Sequence, residues 1–381
     1  MIPLCVPNLC GNEEAYLVEC VKTTFVSSVG KFVNKFEEEL AAIFSSPCNA
    51  IAVSSGTVAL QLSLSGVGVN HGDLVITQAL TFVATASAIC AVGAEPAFID
   101  VDKSDMTMSP KALENFLGTE CDRNVREVIH RESGRRIAAI LPVCTLGIPV
   151  DILALNEIAE RYNLPMVIDA AAAIGSARSD LDFGNLPNTL ITVSFNGNKI
   201  VTCGGGGAIV GGDEALMKRI KHLSTTARVG DEYDHDVRGF NYRMTNLQAA
   251  VGCAQLENLE LFLNKKKYIN DFYSARFEDL TKIQPLNIPS DIVPSYWFPA
   301  FVTQSPITAD VRQAYRNQGI DVRPFWKPMT LQKPYENCPK GPMDVTDAIW
   351  EHLLVLPCST NISDDDLDKV ATTTRDIFQN D

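Results

Sequence analysis

Short apolar runs alternate with amphipathic stretches over residues 50–210. Runs such as residues 50–53, 137–141 and 165–169 have the length and apolar content of buried strands, whereas helical periodicity marks the stretches between them. Strands that alternate with helices in this way are typical of βαβ units and a mostly parallel sheet. The pattern therefore predicts an α/β fold in which helices sandwich a central sheet.

Helical patterns dominate the chain after this region. They cover residues 213–223 and residues 246–280, and the second stretch is long enough to link two domains. Residues 295–302 then indicate a strand and residues 308–319 a helix. This mixture predicts a smaller α+β domain after the linking helix.

We place the domain boundary at residue 250, which gives a large α/β domain over residues 1–250 and a small α+β domain over residues 251–381. Of the 381 residues, 46% are hydrophobic, which is enough for a core in each domain. Within the large domain, residues 120–136 are charged and show little apolar periodicity. We predict that they form a solvated excursion before the strand at residues 137–141.

Charge and cysteine content restrict the surroundings of the protein. The formal net charge of −14 argues against nucleic acid and anionic membranes as partners. Eleven cysteines, an odd number without Cys-x-x-Cys spacing, indicate reduced thiols and a cytoplasmic protein. No run approaches the ~20 apolar residues that a membrane span requires.

Several enzyme classes are excluded because their motifs are absent from the sequence. The glycines at positions 204–207 match neither a dinucleotide-binding fingerprint nor a P-loop. No Gly-x-Ser-x-Gly elbow supports a hydrolase, and the five histidines lack the spacing of a metal site.

Lys199 and Asp169 are the main candidates for chemistry. Each follows or ends an apolar run, and ligands of open α/β sheets bind at the carboxyl ends of the strands. Pyridoxal phosphate needs an amine to hold its aldehyde and an acid to keep its ring nitrogen protonated. The pair therefore suggests a pyridoxal phosphate enzyme, although either residue alone also fits a helix cap or a solvated loop.

A turn after the strand at residues 50–53 is a candidate phosphate site. Ser55, Gly56 and Thr57 combine hydroxyl groups and a small residue at the start of a helical pattern, where free N–H groups favour an anion. An ordinary helix cap is the alternative. Ser194 adds a further hydroxyl, and Phe82 is placed either to stack on a ring or to fill the core.

The chain resembles a known family over nearly all of its length. It is similar to the sugar-nucleotide aminotransferases of the DegT/DnrJ/EryC1/StrS family, which are pyridoxal phosphate enzymes of fold type I. The likeness is carried by Ser55-Gly56-Thr57, Thr81-Phe82, Asp169-Ala170-Ala171, the stretch 194–199 and the stretch 239–250.

The resemblance implies roles for these residues. Lys199 forms the Schiff base and Asp169 pairs with the pyridine nitrogen, while Phe82 stacks on the ring. The phosphate is held by Gly56, Thr57 and Ser194, with Ser55 in the same turn. Asn241 matches a residue that reaches the phosphate from the neighbouring subunit, so the family implies a homodimer with shared sites.

The implied reaction is a two-stage exchange in which an amino donor, expected to be glutamate, aminates the cofactor, and that amine then attacks the C4 ketone of a sugar. Lys199 is expected to move the proton between stages, provided that burial lowers its pKa from ~10.4 toward neutrality. The alternative is a regulator that binds pyridoxal phosphate without catalysis, but no DNA-binding segment is evident.

Residues 194–199, 323–327, 331–335 and 356–361 resemble a subgroup that acts on UDP-linked 4-keto-6-deoxy N-acetylated sugars for surface glycans such as lipopolysaccharide. Perosamine synthases, which use GDP-4-keto-6-deoxymannose, are the second choice. An anionic sugar nucleotide requires local polar and basic groups. The candidates are Asn196, Arg228, Arg243, Arg323, Trp326 and Lys327.

Two positions depart from the family pattern. Ala172 stands where a larger polar side chain is usual, and this change should widen the pocket or soften the tuning of the cofactor ring. Thr330 stands where related sequences often carry histidine.

Overall fold

The computed structural model describes residues 1–44, 48–125, 127–178, 186 and 188–379. Its helices are α1 (Glu13–Thr23), α2 (Lys31–Ile43), α3 (Gly56–Gly66), α4 (Val83–Ala91), α5 (Pro110–Thr119), α6 (Ile152–Tyr162), α7 (Glu214–Ser224), α8 (Asn246–Leu256), α9 (Leu259–Arg276), α10 (Ala309–Asn317), α11 (Asp344–Ile349) and α12 (Asp364–Gln379).

The strands follow the same chain order. They are β1 (Asn49–Val53), β2 (Leu74–Gln78), β3 (Glu95–Ile99), β4 (Cys121–Arg123), β5 (Val128–His130), β6 (Arg136–Leu141), β7 (Met166–Asp169), β8 (Ala177–Arg178), β9 (Thr189–Ser194), β10 (Gly207–Gly211), β11 (Arg228–Val229), β12 (Asp234–His235), β13 (Ile283–Pro285), β14 (Ile292–Val293), β15 (Ala300–Thr303) and β16 (Leu353–Val355).

The central sheet has the strand order β1-β10-β9-β7-β6-β2-β3. Neighbours from β9 to β3 pair in parallel, whereas β10 is antiparallel to both β1 and β9. At the start of β10, a Cβ on Gly207 would lie 2.5 Å from the carbonyl carbon of Ser55. Glycine is therefore required where β10 passes the turn that follows β1. The prediction of an α/β fold with a mostly parallel sheet is confirmed.

Helices cover both faces of this sheet. Val75 and Val167 point to one face, where they pack with α3 and α4, while Ile76 and Ile168 point to the other face and pack with α1, α2, α5, α6 and α8. Successive side chains of a strand alternate between faces. Because both faces are buried, the strands appear in the sequence as continuous apolar runs rather than alternating ones.

The second part of the chain forms a smaller sheet, β13-β15-β16, covered by α9, α10 and α12. The first residues of the chain lie against it: Ile2 pairs with Ile320, and the N–H of Cys358 donates to the carbonyl of Leu4 at 2.9 Å. The division of the chain at residue 250 stays a prediction, and α8 passes through that position. Within the described residues, no helix has the length and apolar content needed to cross a membrane.

Three predicted elements differ from the structure. Residues 120–136 are not only a solvated excursion, because β4 and β5 lie within them and β5 joins β6 in the sheet. The helix predicted over residues 246–280 is two helices, α8 and α9, which meet at residues 257–258. The strand predicted over residues 295–302 begins later, as β15.

Candidate active site

A cavity of about 480 Å³ opens at the edge of the sheet where the parallel strands end. Ser55 follows β1, Phe82 follows β2, Asp169 ends β7 and Ser194 ends β9, and all four line the cavity. Parallel strands bring their carboxyl ends to one edge, so residues far apart in sequence converge there. The sequence predicted this convergence for each of these positions.

Lys199 lies in the turn after β9. This turn folds back on itself, since the N–H of Lys199 donates to the carbonyl of Asn196 at 2.9 Å and the N–H of Cys203 donates to that of Phe195 at 2.9 Å. The Nζ of Lys199 lies 3.8 Å from the ring centroid of Trp297. Burial lowers the pKa of Lys199 to about 8, while the charge of Asp169 acts in the opposite direction. Its amine therefore titrates close to neutral pH.

Asp169 is buried and its carboxylate is held from two sides. The hydroxyl of Thr85 donates to Oδ2 at 2.7 Å, and the N–H of Ala171 donates to Oδ1 at 3.1 Å. Burial raises the pKa of this carboxyl, although both hydrogen bonds lower it. A buried carboxylate of this kind is stabilised by a cationic partner, such as a protonated pyridine ring.

The turn before α3 is compact enough to form a cradle for an anion. The hydroxyl of Ser55 caps the helix by accepting from the N–H of Val58 at 3.2 Å. A Cβ on Gly56 would lie 2.8 Å from the Cβ of Ser194, so the turn and the end of β9 are in direct contact. The first N–H groups of a helix lack partners within the helix and favour negative charge.

Aromatic side chains form one wall of the cavity. Phe82 is 54% exposed at the start of α4, so it is available to stack on a ring and is not a core residue. Its ring centroid lies 6.0 Å from that of Trp326, which in turn lies 6.1 Å from that of Trp297. A planar aromatic ligand fits a site with such side chains.

Three of the predicted substrate residues line the cavity, and three do not. Those at the cavity are Asn196, Arg323 and Trp326. The remaining three are Arg228, Arg243 and Lys327, and Asn241 also lies outside the lining residues.

The arginines outside the cavity are held by other partners. Arg243 is buried, with 8% of its side chain exposed; its Nη1 lies 2.6 Å from a carboxylate oxygen of Glu37 and donates to the carbonyl of Ala52 at 2.9 Å. Arg228 lies over the ring of Tyr233, with its Cζ 4.3 Å from the centroid, and donates to the carbonyl of Glu232 at 3.1 Å. Neither arginine lines the cavity. The sequence predicted both arginines to bind substrate because their positive charge is visible in the sequence, whereas the groups that they contact in the folded protein are not.

Thr85 and Trp297 line the cavity but were not predicted from the sequence. Thr85 lies one helical turn after Phe82, a spacing that identifies it in retrospect. Trp297 is nearly buried at 3% exposure, and its indole N–H donates to the carbonyl of Asn198 at 2.7 Å. It comes from the distant β14–β15 segment and has no local motif.

The two departures from the family pattern have different surroundings. Ala172 lines the cavity, and its carbonyl accepts a hydrogen bond from the hydroxyl of Ser295 at 2.7 Å. Its methyl side chain leaves room where a longer side chain would project. The hydroxyl of Thr330 is buried without a hydrogen-bond partner among the described residues.

The side chains at this edge of the sheet fit pyridoxal phosphate, because they offer an amine, a buried acid and a tight helix N-terminus next to aromatic rings. The chain has the fold and the site of a fold type I pyridoxal phosphate-dependent enzyme.

Comparison with known proteins then identifies the family. The chain belongs to the DegT/DnrJ/EryC1/StrS aminotransferase family, which matches residues 8–375. It is 34% identical over 339 residues to GDP-perosamine synthase of Escherichia coli O157:H7, covering 88% of this chain and 87% of that protein. It is 30% identical over 383 residues to GDP-perosamine synthase of Vibrio cholerae, covering 99% of both.

A solved structure is also similar to this chain in fold and sequence. The crystal structure of S. venezuelae DesV in complex with a ketimine intermediate matches with a TM-score of 0.85 at 26% identity, covering 96% of this chain and 94% of that one. The protein is therefore a pyridoxal phosphate-dependent sugar aminotransferase.

Proposed function

We propose that the enzyme transfers an amino group, with glutamate as donor, to the C4 ketone of GDP-4-keto-6-deoxymannose. The observation that carries this choice is the similarity to GDP-perosamine synthases along 88% to 99% of the chain. It reverses the order predicted from sequence motifs, which favoured a UDP-linked N-acetylated sugar. The aminated sugar would serve surface glycan synthesis.

The proposed cofactor contacts follow from the cavity. Pyridoxal phosphate, when bound, supplies an aldehyde that exchanges amino groups and a pyridine ring that withdraws electrons. Lys199 would hold the aldehyde and Asp169 the ring nitrogen, with Phe82 against the ring face. The phosphate would be held by Ser55, Gly56, Thr57 and Ser194.

Lys199 is also proposed to carry the proton during transfer. Its amine, with a pKa of about 8 because of burial, is partly unprotonated at neutral pH. An amine in this state can take a proton from the carbon that bears the amino group and return it later. Asp169 lies in the same cavity and would stabilise positive charge on the ring nitrogen.

Substrate contacts are proposed at the open side of the cavity. Arg323 has 67% of its side chain exposed, so its guanidinium is available at the surface to meet a diphosphate. In this structure it is paired with Asp321 at 3.0 Å. Asn196 and Trp326 would contact the sugar or the base from the cavity wall. A local cation is needed because the protein as a whole is acidic.

We also propose a homodimer with shared sites. Asn241 is exposed and lies outside the cavity of its own protomer, which is consistent with a role in the partner's site. Large apolar side chains are exposed on α1 and in the segment that follows it, as expected for a surface that a second copy covers. They are Val18, Val21, Phe25, Val26 and Val29.

The test is a direct comparison of the two sugar nucleotides. Purified enzyme is incubated with glutamate and either GDP-4-keto-6-deoxymannose or UDP-4-keto-6-deoxy-N-acetylglucosamine, and aminated product is measured by mass spectrometry. We expect kcat/KM to be larger for the GDP sugar by about tenfold or more. Preference for the UDP sugar would contradict the proposal and support the substrate predicted from the sequence motifs, a UDP-linked N-acetylated sugar. Absence of product from either sugar, with cofactor bound, would favour the regulatory alternative; Lys199→Ala is the inactive control.

A further inference from the structure

A buried lysine lies behind the cavity. Lys266, on α9, is only 1% exposed, and its Nζ donates to the carbonyls of Trp297 at 2.9 Å and Cys358 at 2.7 Å. The Sγ atoms of Cys358 and Cys5 lie 3.1 Å and 3.7 Å from the same nitrogen. A buried ammonium is costly unless its surroundings favour charge, so this set of contacts must compensate for the loss of water.

The two thiols supply part of that compensation. Burial alone would lower the pKa of Lys266, but Cys358 and Cys5 raise it. In return, the Cys358 thiol and the Lys266 ammonium lower the pKa of Cys5. Lys266 is thus held as a cation and Cys5 is pushed toward the thiolate, in a cluster that the proposed reaction does not use.

Trp297 connects this cluster to the active site. Its carbonyl accepts from the Nζ of Lys266 and from the Sγ of Cys358 at 3.3 Å, which fixes the backbone of the residue. Its indole N–H donates to the carbonyl of Asn198, next to Lys199 in the chain. The ring face lies 3.8 Å from the Nζ of Lys199. The backbone carbonyl of Trp297 therefore contacts Lys266, and its indole ring contacts Lys199.

We propose that Lys266 is a positioning residue whose ammonium fixes the backbone of Trp297 and thereby holds the indole ring against the amine of Lys199. The proposal rests on the proposed role of Lys199 as the reacting amine. It assigns Lys266 no contact with substrate or cofactor; its main effect reaches Lys199 through Trp297, and a smaller one passes through the charge of Cys5.

The expected effect on Lys199 has a definite sign. An aromatic face beside an amine favours the ammonium form and raises its pKa. Among the described residues, the charges of Asp169 and Cys5 raise the pKa of Lys199, against the larger opposing effect of burial. Removing Lys266 frees the ring of Trp297 and returns Cys5 toward the neutral thiol. Both changes lower the pKa of Lys199.

The experiment measures this pKa in the apoprotein. Lys199 is acetylated with limiting acetic anhydride at a series of pH values, and peptide mass spectrometry gives its labelling rate, which reports the unprotonated amine. The wild-type midpoint is expected at about 8. In Lys266→Met, which keeps the length of the side chain without its charge, the midpoint should fall by about half a pH unit to one unit.

A matched control lies on the same helix. Tyr273, two turns after Lys266, is buried and its hydroxyl donates to the carbonyl of Pro357 at 2.9 Å. Tyr273→Phe removes a hydrogen bond from α9 to the same segment without affecting Trp297, so its midpoint should equal that of the wild type. Trp297→Leu should lower the midpoint, and adding Lys266→Met to it should cause only the smaller further fall that comes from Cys5, since the main effect of Lys266 passes through Trp297.

Three results would overturn the proposal: an unchanged midpoint in folded Lys266→Met, an equal fall in Tyr273→Phe, or additive shifts in the double variant. If Lys266→Met does not fold, Cys358→Ala removes a second contact to the Trp297 carbonyl and should lower the midpoint by a smaller amount; no change there would also refute the idea. The labelling needs neither cofactor nor sugar, so its outcome is independent of the test of the proposed function.

Discussion

Thr85→Val is a sharp test of how the acid of the site is held. The hydroxyl of Thr85 donates to Oδ2 of Asp169 at 2.7 Å and also contacts the hydroxyl of Thr81 at 2.8 Å. Valine has nearly the same shape but no donor. The variant should therefore leave the backbone of α4 in place and remove one hydrogen bond from a buried carboxylate.

The expected loss of cofactor affinity follows from the strength of the hydrogen bond between Thr85 and Asp169. A hydrogen bond to a charged group contributes ~1.5–3 kcal/mol. Losing it raises the pKa of Asp169 further above the usual range, since the Thr85 hydroxyl is one of the groups that lower it. The carboxylate then pairs less well with a pyridine nitrogen. At ~1.4 kcal/mol per factor of ten, the affinity for pyridoxal phosphate should fall ~10-fold to ~150-fold.

The assay is a titration of apoprotein with pyridoxal phosphate, followed by the visible absorbance of the bound cofactor. Thr77→Val is the matched control, because Thr77 is also buried in the sheet and its hydroxyl donates to the carbonyl of Leu141 at 2.7 Å, away from the carboxylate. Its Kd should stay within about twofold of the wild type, as expected for a distant site. An unchanged Kd in Thr85→Val, or an equal loss in both variants, would refute the reasoning.

Three further predictions concern the sheet edge and its supports. Because burial raises the pKa of Asp169 in the folded state, its ionisation destabilises the apoprotein as pH rises through that pKa; Asp169→Asn apoprotein should have the higher Tm at pH 7, with the difference vanishing below about pH 4. Arg243→Met leaves Glu37 with one cationic partner fewer and should lower the urea unfolding free energy by about 3 kcal/mol without changing the KM for the sugar nucleotide. Gly207→Ala places a Cβ 2.5 Å from the backbone of Ser55, so equilibrium dialysis should show that cofactor affinity falls by about tenfold or more.

Each of these has an outcome that contradicts it. A lower Tm for the asparagine variant at pH 7 would mean that the carboxylate stabilises the empty site. A selective rise in KM for Arg243→Met would return this arginine to substrate binding. For the glycine, Gly118→Ala is the control, because a Cβ there would meet nothing within 4 Å; equal cofactor affinity in the two variants would exclude crowding of the phosphate turn.

The sequence was sufficient to predict the parallel sheet and the meeting of Lys199 with Asp169. Both residues lie at the ends of apolar runs, and the geometry of parallel strands brings such ends together without knowledge of other contacts. A strand end is a local feature, and the carboxyl ends of the parallel strands all lie at one edge of the sheet. The location of Phe82 at the cavity could not be predicted in this way, because only its exposure in the folded protein distinguishes it from a core residue.

Features that depend on distant partners could not be predicted in this way. The break between α8 and α9 is an example: Glu257 accepts hydrogen bonds from Asn12 at 2.8 Å and Tyr16 at 2.7 Å and pairs with Lys35 at 2.9 Å, all more than 200 residues away. Apolar periodicity contains no trace of these contacts. The short strands β4 and β5 were not predicted for another reason: three residues are too few to establish an alternating pattern.

The position of the first residues has a consequence for the order in which the enzyme is made. Leu4 lines the cavity, yet its carbonyl is held by the N–H of Cys358, and the N–H of Val6 donates to the hydroxyl of Ser359. A ribosome completes these partners some 350 residues after Leu4, at ~5–20 residues per second. The sheet edge can form earlier during synthesis, but this wall of the cavity cannot close until Cys358 and Ser359 have emerged. A chain released before Cys358 is added would therefore lack the partners that hold Leu4 and Val6 at the cavity.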